Sequence, residues 1–204
     1  MVKRCVIVFL VLNTLFLNAQ IVDDNYVRQH YTKKSYNIPM RDGVKLYTLV
    51  YTPKDTSRTY PILLNRSCYN ASSYDNFQTK GQPSDYLVKD QYILVYQDVR
   101  GRYMSEGEFT TLTPNIPGND LQDPDAIDES SDTYDTIDWL INKLSNNNKK
   151  VGIFGISYPG FYTAAALPNA HPALKAASPQ APISDFFFDD FIHNGAYLLS
   201  YTAA

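Results

Sequence analysis

Three runs of the chain are apolar almost without a break: Pro61–Asn65 (P-I-L-L-N), Tyr92–Tyr96 (Y-I-L-V-Y) and Val151–Phe154 (V-G-I-F). Runs this short, rich in β-branched residues and flanked by polar or Gly/Pro positions, predict strands buried on both faces. Lys45–Tyr51 (K-L-Y-T-L-V-Y) follows the turn residue Gly43 and is β-branched and aromatic, and Leu174–Ala177 predicts one more strand. Between them the period changes. Tyr134, Ile137, Ile141 and Leu144 recur at helical spacing, with Asp132 and Asp135 near the start and Lys143 near the end. Ser130 or Ser131 is expected to cap this helix, and Asn146–Asn148 to end it as a loop. A second helix, rich in alanine, is expected over Gly160–Leu167. Short strands alternating with helices predict an α/β fold, a mostly parallel sheet with helices on both faces. The 204 residues suffice for one sizeable core.

The first residues read differently. Lys3 and Arg4 precede an apolar stretch, Cys5–Leu17, and Ala19 offers a small residue before Gln20. This pattern predicts a signal peptide over 1–19 and an exported product, periplasmic or secreted, and the stretch is short for a stable membrane anchor. The remainder carries 16 basic against 21 acidic residues, a formal charge of −5, without a basic stripe. Nucleic acid is therefore not an expected partner. With Cys5 in the leader, Cys68 is left as a single cysteine, without a disulfide partner.

The segment Gly155-Ile156-Ser157-Tyr158-Pro159-Gly160 lies between a predicted strand and a predicted helix. It is close to G-x-S-x-G, with the second glycine one place late. A serine in a sharp strand-to-helix turn needs small neighbours, and the turn lifts its hydroxyl to the carboxyl edge of the sheet. The helix N-terminus there favours negative charge, and the Tyr158 N–H can serve an oxyanion. Ser157 is thus the candidate nucleophile; an ordinary strand–helix loop is the competing reading of these residues alone.

Together with Met40–Leu46 (M-R-D-G-V-K-L) and Tyr96–Phe109 (Y-Q-D-V-R-G-R-Y-M-S-E-G-E-F), the serine block resembles the family of X-Pro dipeptidyl peptidases, cocaine esterases and α-amino acid ester hydrolases. The resemblance implies a Ser-His-Asp hydrolase with an α/β-hydrolase core, a helical cap and a C-terminal jelly roll. It implies that the Tyr69 hydroxyl, in N-R-S-C-Y-N, joins the Tyr158 N–H in the oxyanion hole. Cys68 stands where relatives carry Pro, and Pro159 where the amino-ester hydrolases carry an acidic residue. Cys68 is expected to be a small buried hydrophobe. Asp98 and Arg100 are expected to pair or to bind loop backbone near the site.

The resemblance divides the chain into a leader (1–19), a lead-in (20–35), a partial α/β-hydrolase domain (36–182) and the start of a cap (183–204). The chain is expected to stop before the cap and jelly roll are complete. Of the histidines, His30 precedes the serine, His171 is expected to face solvent, and His193, in D-F-F-F-D-D-F-I-H-N-G-A, to be structural or part of a pocket wall. The triad Asp and His are accordingly expected to be absent from this chain. Asp123, Asp125, Asp128, Glu129 and Asp132 lack the spacing of a calcium loop and are expected to form a solvated loop and helix start. No metal or organic cofactor is implied. The expected substrates are small esters, amides or short X-Pro peptides. The alternatives are a catalytically inactive fragment and an exported binding module with a dead hydrolase site.

Overall fold

In the computed structural model of this chain the described residues are 24–71, 85–117, 125–183, 185, 187–188, 192–193 and 195–197. In chain order they form α1 (Asp24–His30), β1 (Tyr31–Pro39), β2 (Lys45–Pro53), β3 (Tyr60–Ser67), α2 (Asp85–Lys89), β4 (Ile93–Asp98), α3 (Glu129–Lys143), β5 (Asn147–Ile156), α4 (Tyr158–Ala165), β6 (Leu174–Gln180), β7 (Ile192–His193) and β8 (Ala196–Tyr197). The leader 1–19 lies outside the described residues, as does Asp123.

Six strands make one sheet in the order β1-β2-β4-β3-β5-β6. β1/β2 and β2/β4 pair antiparallel, whereas β4/β3, β3/β5 and β5/β6 are parallel. The apolar runs are the inner strands: every residue of β4 is buried. Alternate residues go to opposite faces, as a period of two requires. Ile62, Leu64, Ile93, Val95, Val151 and Ile153 pack under Ile137, Leu140 and Leu144 of α3. Leu49, Tyr51, Leu94 and Tyr96 pack with Val27 of α1 and Val88 of α2 on the other face. Helices therefore cover both faces, as the strand–helix alternation implied.

Four local expectations need correction. The edge strand β1, polar along most of its length, runs across the 35–36 division and pairs with β2 from Tyr31↔Pro53 to Pro39↔Lys45. α3 is capped by Asp128, not by Ser130 or Ser131. The Asp128 carboxylate accepts the Ser131 N–H at 2.8 Å, and the Ser131 hydroxyl accepts the Asp128 N–H at 2.9 Å, a reciprocal pair that fixes the cap at Asp128, ahead of both serines. Ser130 instead donates to the carbonyl of Pro168. Asn147 and Asn148 are not loop but the start of β5, and the Asn147 amide donates to the Leu144 carbonyl at 2.7 Å, closing the end of α3. Finally, α4 begins at Tyr158, two residues before the expected Gly160.

The acidic cluster is also corrected. Asp128, Glu129 and Asp132 are buried, not solvated. A buried carboxylate needs donors, and two arginines supply them. Arg66, wholly buried on β3, donates to the Glu129 carboxylate at 2.7 Å, to Thr133 at 2.8 Å and to Gln97 at 2.9 Å. Arg100 bridges Asp132 and Asp42, each at 2.7 Å.

Candidate active site

Ser157 sits between β5 and α4, with φ 64° and ψ −121°. A non-glycine residue rarely takes positive φ, and it holds there only where its surroundings over-determine it. Here they do. The Ser157 N–H donates to the Gln180 carbonyl of β6 at 2.9 Å, while the Ser157 carbonyl accepts from Phe161 inside α4. The flanking glycines are forced by the same geometry. A Cβ on Gly155 would lie 2.1 Å from the Pro159 carbonyl oxygen, and one on Gly160 would lie 2.4 Å from that of Gln180. The late second glycine thus marks the place where α4 crosses the end of β6. Ser157 is exposed, and its side chain makes no capping bond to α4.

β3, β5 and β6 are parallel, so their carboxyl ends lie on one edge, and Ser157 follows the end of β5 there. Tyr158 is the first residue of α4, where backbone N–H groups have no intrahelical acceptor. Its phenol accepts the Leu112 N–H at 2.9 Å, and its ring stacks on that of Tyr162 at 5.1 Å. Tyr69, half exposed just beyond β3, sets its ring edge-on to that of Tyr158 at 6.3 Å. The structure therefore brings Ser157, Tyr158 and Tyr69 to the same edge.

Cys68 is buried with Val99 and Tyr162, as expected of a small hydrophobe, and burial pushes its thiol up. Asp98 is wholly buried at the end of β4. Burial raises its carboxyl pKa, while the N–H groups of Ala71 and Met104, both donating to it, act the other way. Asp98 therefore binds loop backbone, as expected of it, whereas Arg100 pairs with Asp132 and Asp42 rather than with Asp98. The part played by Arg66 was not anticipated. Arg66 lies between Asn65 and Ser67, at the polar end of β3 just after the apolar run, where nothing in the sequence marks it as buried.

The histidines lie elsewhere. His30 bonds the Tyr26 carbonyl at 2.7 Å and stacks on the Tyr26 ring. His171 does not face solvent. It is buried against Tyr134, its Nδ1 accepts the Ala173 N–H at 3.0 Å, and its Nε2 stands 3.6 Å from Asp138. The reason is its place before β6, at the amino edge where α3 closes over the sheet. At about 3.3 Å per residue, the length of β5 from Val151 puts that edge roughly 20 Å from Ser157. The side chain of His193 lies outside the described residues. Among the described residues no group of three or more His, Cys, Asp or Glu is placed to hold a metal ion.

Comparison with known proteins decides the family. The family described as X-Pro dipeptidyl-peptidase (S15 family) matches residues 42–203. The chain belongs to the S15 family. Cocaine esterase of Rhodococcus sp. (strain MB1 Bresler) is 32% identical over 169 residues, which are 82% of this chain and 26% of that protein. The solved structure of an α-amino acid ester hydrolase is 41% identical, with a TM-score of 0.71, over 83% of this chain and 28% of the other. An aminopeptidase from the marine sediment archaeon Thaumarchaeota archaeon is 39% identical, with a TM-score of 0.73, over 82% and 28%. The S15 chain described here thus spans about a quarter of the length of these relatives. Its mixed, mostly parallel sheet with flanking helices is an α/β-hydrolase core, and its family is one of hydrolases of esterase and peptidase type.

Proposed function

We propose that Ser157 is the nucleophile of a serine hydrolase that cleaves ester or amide bonds, acyl or X-Pro dipeptidyl. The observation that carries this reading is the backbone of Ser157, held at φ 64° on the carboxyl edge with its hydroxyl unused by the helix it precedes. Strain of this kind concentrates at functional sites. The Ser157 Oγ attacks the substrate carbonyl carbon, its proton passes to a histidine base, and the carbonyl oxygen becomes an oxyanion. The Tyr158 N–H and the Tyr69 hydroxyl are the proposed donors to that oxyanion. Such a donor is worth about 2.7–4 kcal/mol.

His30 and His171 lie away from the edge, and the triad His and Asp are taken to be absent from residues 1–204. In this class of hydrolase they follow the serine along the chain. Residues 183–204 are proposed as the start of a cap over the site, and His193 as a structural or wall residue of it. Substrates are small esters, amides or short peptides, without a cofactor. The leader pattern at 1–19 supports export, periplasmic or secreted. A second reading, a catalytically inactive fragment or exported binding module, is favoured by one observation: neither described His side chain reaches Ser157.

The test is hydrolysis of a p-nitrophenyl ester by the complete gene product. Ser157→Ala is expected to abolish turnover. Tyr69→Phe is expected to lower kcat far more than it raises KM, because the hydroxyl bond forms mainly in the transition state. Turnover that survives Ser157→Ala would refute the nucleophile, and absent turnover in the parent would favour the second reading.

A further inference from the structure

The segment 67–71 carries Tyr69, and among the described residues the end of β4 and the turn after it hold it at several points. The Ala71 N–H donates to the Asp98 carboxylate, which is wholly buried. The other oxygen of the same carboxylate accepts the Met104 N–H at 3.4 Å. The Val99 N–H donates to the Ser67 carbonyl at 3.0 Å, and the Arg102 guanidinium to the Cys68 carbonyl at 3.2 Å. Inside the segment the Ser67 hydroxyl accepts the Tyr69 N–H at 2.9 Å. Asn70 takes φ 72°, so the chain reverses within one residue of Tyr69. Tyr69 itself is half exposed, with its ring edge-on to that of Tyr158. The direction of a half-exposed phenol depends strongly on the backbone that carries it. A wholly buried carboxylate spent on backbone N–H donors is a costly way to fix a loop unless the loop's geometry matters.

We propose that Asp98 is a positioning residue for Tyr69: its carboxylate ties Ala71 to Met104 and so aims the Tyr69 phenol along the edge that carries Ser157. The proposal rests on the oxyanion role of Tyr69 for its catalytic consequence, but not for its structural one. Asp98 touches no reacting atom. In Asp98→Asn one oxygen is replaced by an NH₂ group, which must face an N–H donor, so one of the two loop bonds is lost. In Ser67→Ala the hydroxyl that holds the Tyr69 N–H is lost without disturbing Asp98.

Two measurements on the complete gene product separate the inference from the function it rests on. With 3-fluorotyrosine at position 69, the ¹⁹F resonance is expected to be a single narrow line. Asp98→Asn, and to a lesser degree Ser67→Ala, should broaden or split it, while a label at the buried Tyr60 stays unchanged. An unchanged position-69 line in Asp98→Asn overturns the proposal, whatever the activity. Should Asp98→Asn fail to fold, Asp98→Glu, which keeps the carboxylate but moves its oxygens by one methylene relative to the Ala71 and Met104 N–H groups, is read in the same way. In turnover, Asp98→Asn should lower kcat at least tenfold in the parent and less than twofold in the Tyr69→Phe background. Equal losses in both backgrounds overturn action through Tyr69. No loss from Tyr69→Phe itself would refute the oxyanion role and leave the ¹⁹F result to judge the positioning.

Discussion

A single oxygen atom meets both Ser157 and Gly160: the Gln180 carbonyl accepts the Ser157 N–H at 2.9 Å and would lie 2.4 Å from a Cβ on Gly160. The end of β6 therefore sets how closely α4 can approach, and through it the angle at which Ser157 leaves the sheet. Helix propensity alone would make Gly160→Ala favourable by about 1 kcal/mol. The contact argues the opposite sign. The added methyl meets backbone, not a flexible side chain, so overpacking of about 1–3 kcal/mol should win. Urea unfolding of Gly160→Ala is expected to show a lower midpoint at unchanged slope. A raised midpoint would mean that the elbow is looser than this geometry.

The buried arginine makes a second prediction. Among the described residues Arg66 is the largest fully buried side chain, and one of its nitrogens, Nη2, has no hydrogen-bond partner there, with Asp132 3.7 Å away. Its pairing with Glu129 is thus close but not complete. Removing one partner of such a pair strands the other charge, at a cost of about 3–5 kcal/mol. Arg66→Met should destabilise by that order. Adding Glu129→Gln, which removes the stranded charge, should recover part of the loss. Chemical denaturation of the two single variants and the double measures the coupling, and purely additive losses would show that the pair contributes nothing as a pair.

These two sites differ in how far the sequence announced them. The elbow was legible because each of its requirements is a residue type: Gly155 and Gly160 mark close approach, and the apolar run and alanine-rich stretch mark strand and helix. The inner strands were legible for a similar reason, since burial on both faces leaves an unbroken apolar run. β1 was not, because an edge strand exposed over most of its length reads as a polar linker. The cap of α3 was ambiguous because Asp128, Ser130 and Ser131 all suit an N-cap, and only the reciprocal bond chooses among them. Arg66 and His171 were illegible for a common cause. Their carboxylate partners lie more than thirty positions away along the chain, on an element brought to them only by the packing of α3 on the sheet.

The burial of His171 makes stability depend on pH. Burial lowers its pKa below the ordinary value of 6.5, and the Asp138 carboxylate opposes this. Asp138 is more than half exposed, so its charge is screened and burial prevails. The unfolded chain then binds a proton more readily than the folded one. Stability from this residue is complete above about pH 6.5 and is lost as pH falls through that value towards the folded pKa. His171→Asn keeps an acceptor for the Ala173 N–H but cannot titrate. Between about pH 7.5 and pH 5 its unfolding midpoint should fall less steeply than that of the parent. A steeper fall would mean that Asp138 holds the imidazolium in the folded state.

β6 ends the sheet, and apart from its first residue it is exposed along its whole length. On the neighbouring strand Ile156, paired with Gln180, is 52% exposed. An uncovered edge presents a row of unpaired backbone groups, and Lys175 is the strand's only charged residue to discourage pairing. The described histidines cannot serve Ser157, and a serine hydroxyl without a base stays protonated at neutral pH. Residues 20–204 expressed as a separate polypeptide are therefore expected to self-associate through β6. They should hydrolyse p-nitrophenyl acetate no faster than their Ser157→Ala variant. A charge in the middle of the edge, Ala177→Lys, should shift the population towards monomer without changing turnover, which sedimentation velocity and a colorimetric assay would read on one preparation. A soluble monomer whose turnover requires Ser157 would show that a base reaches the elbow from within these residues, with His193 the first histidine to substitute.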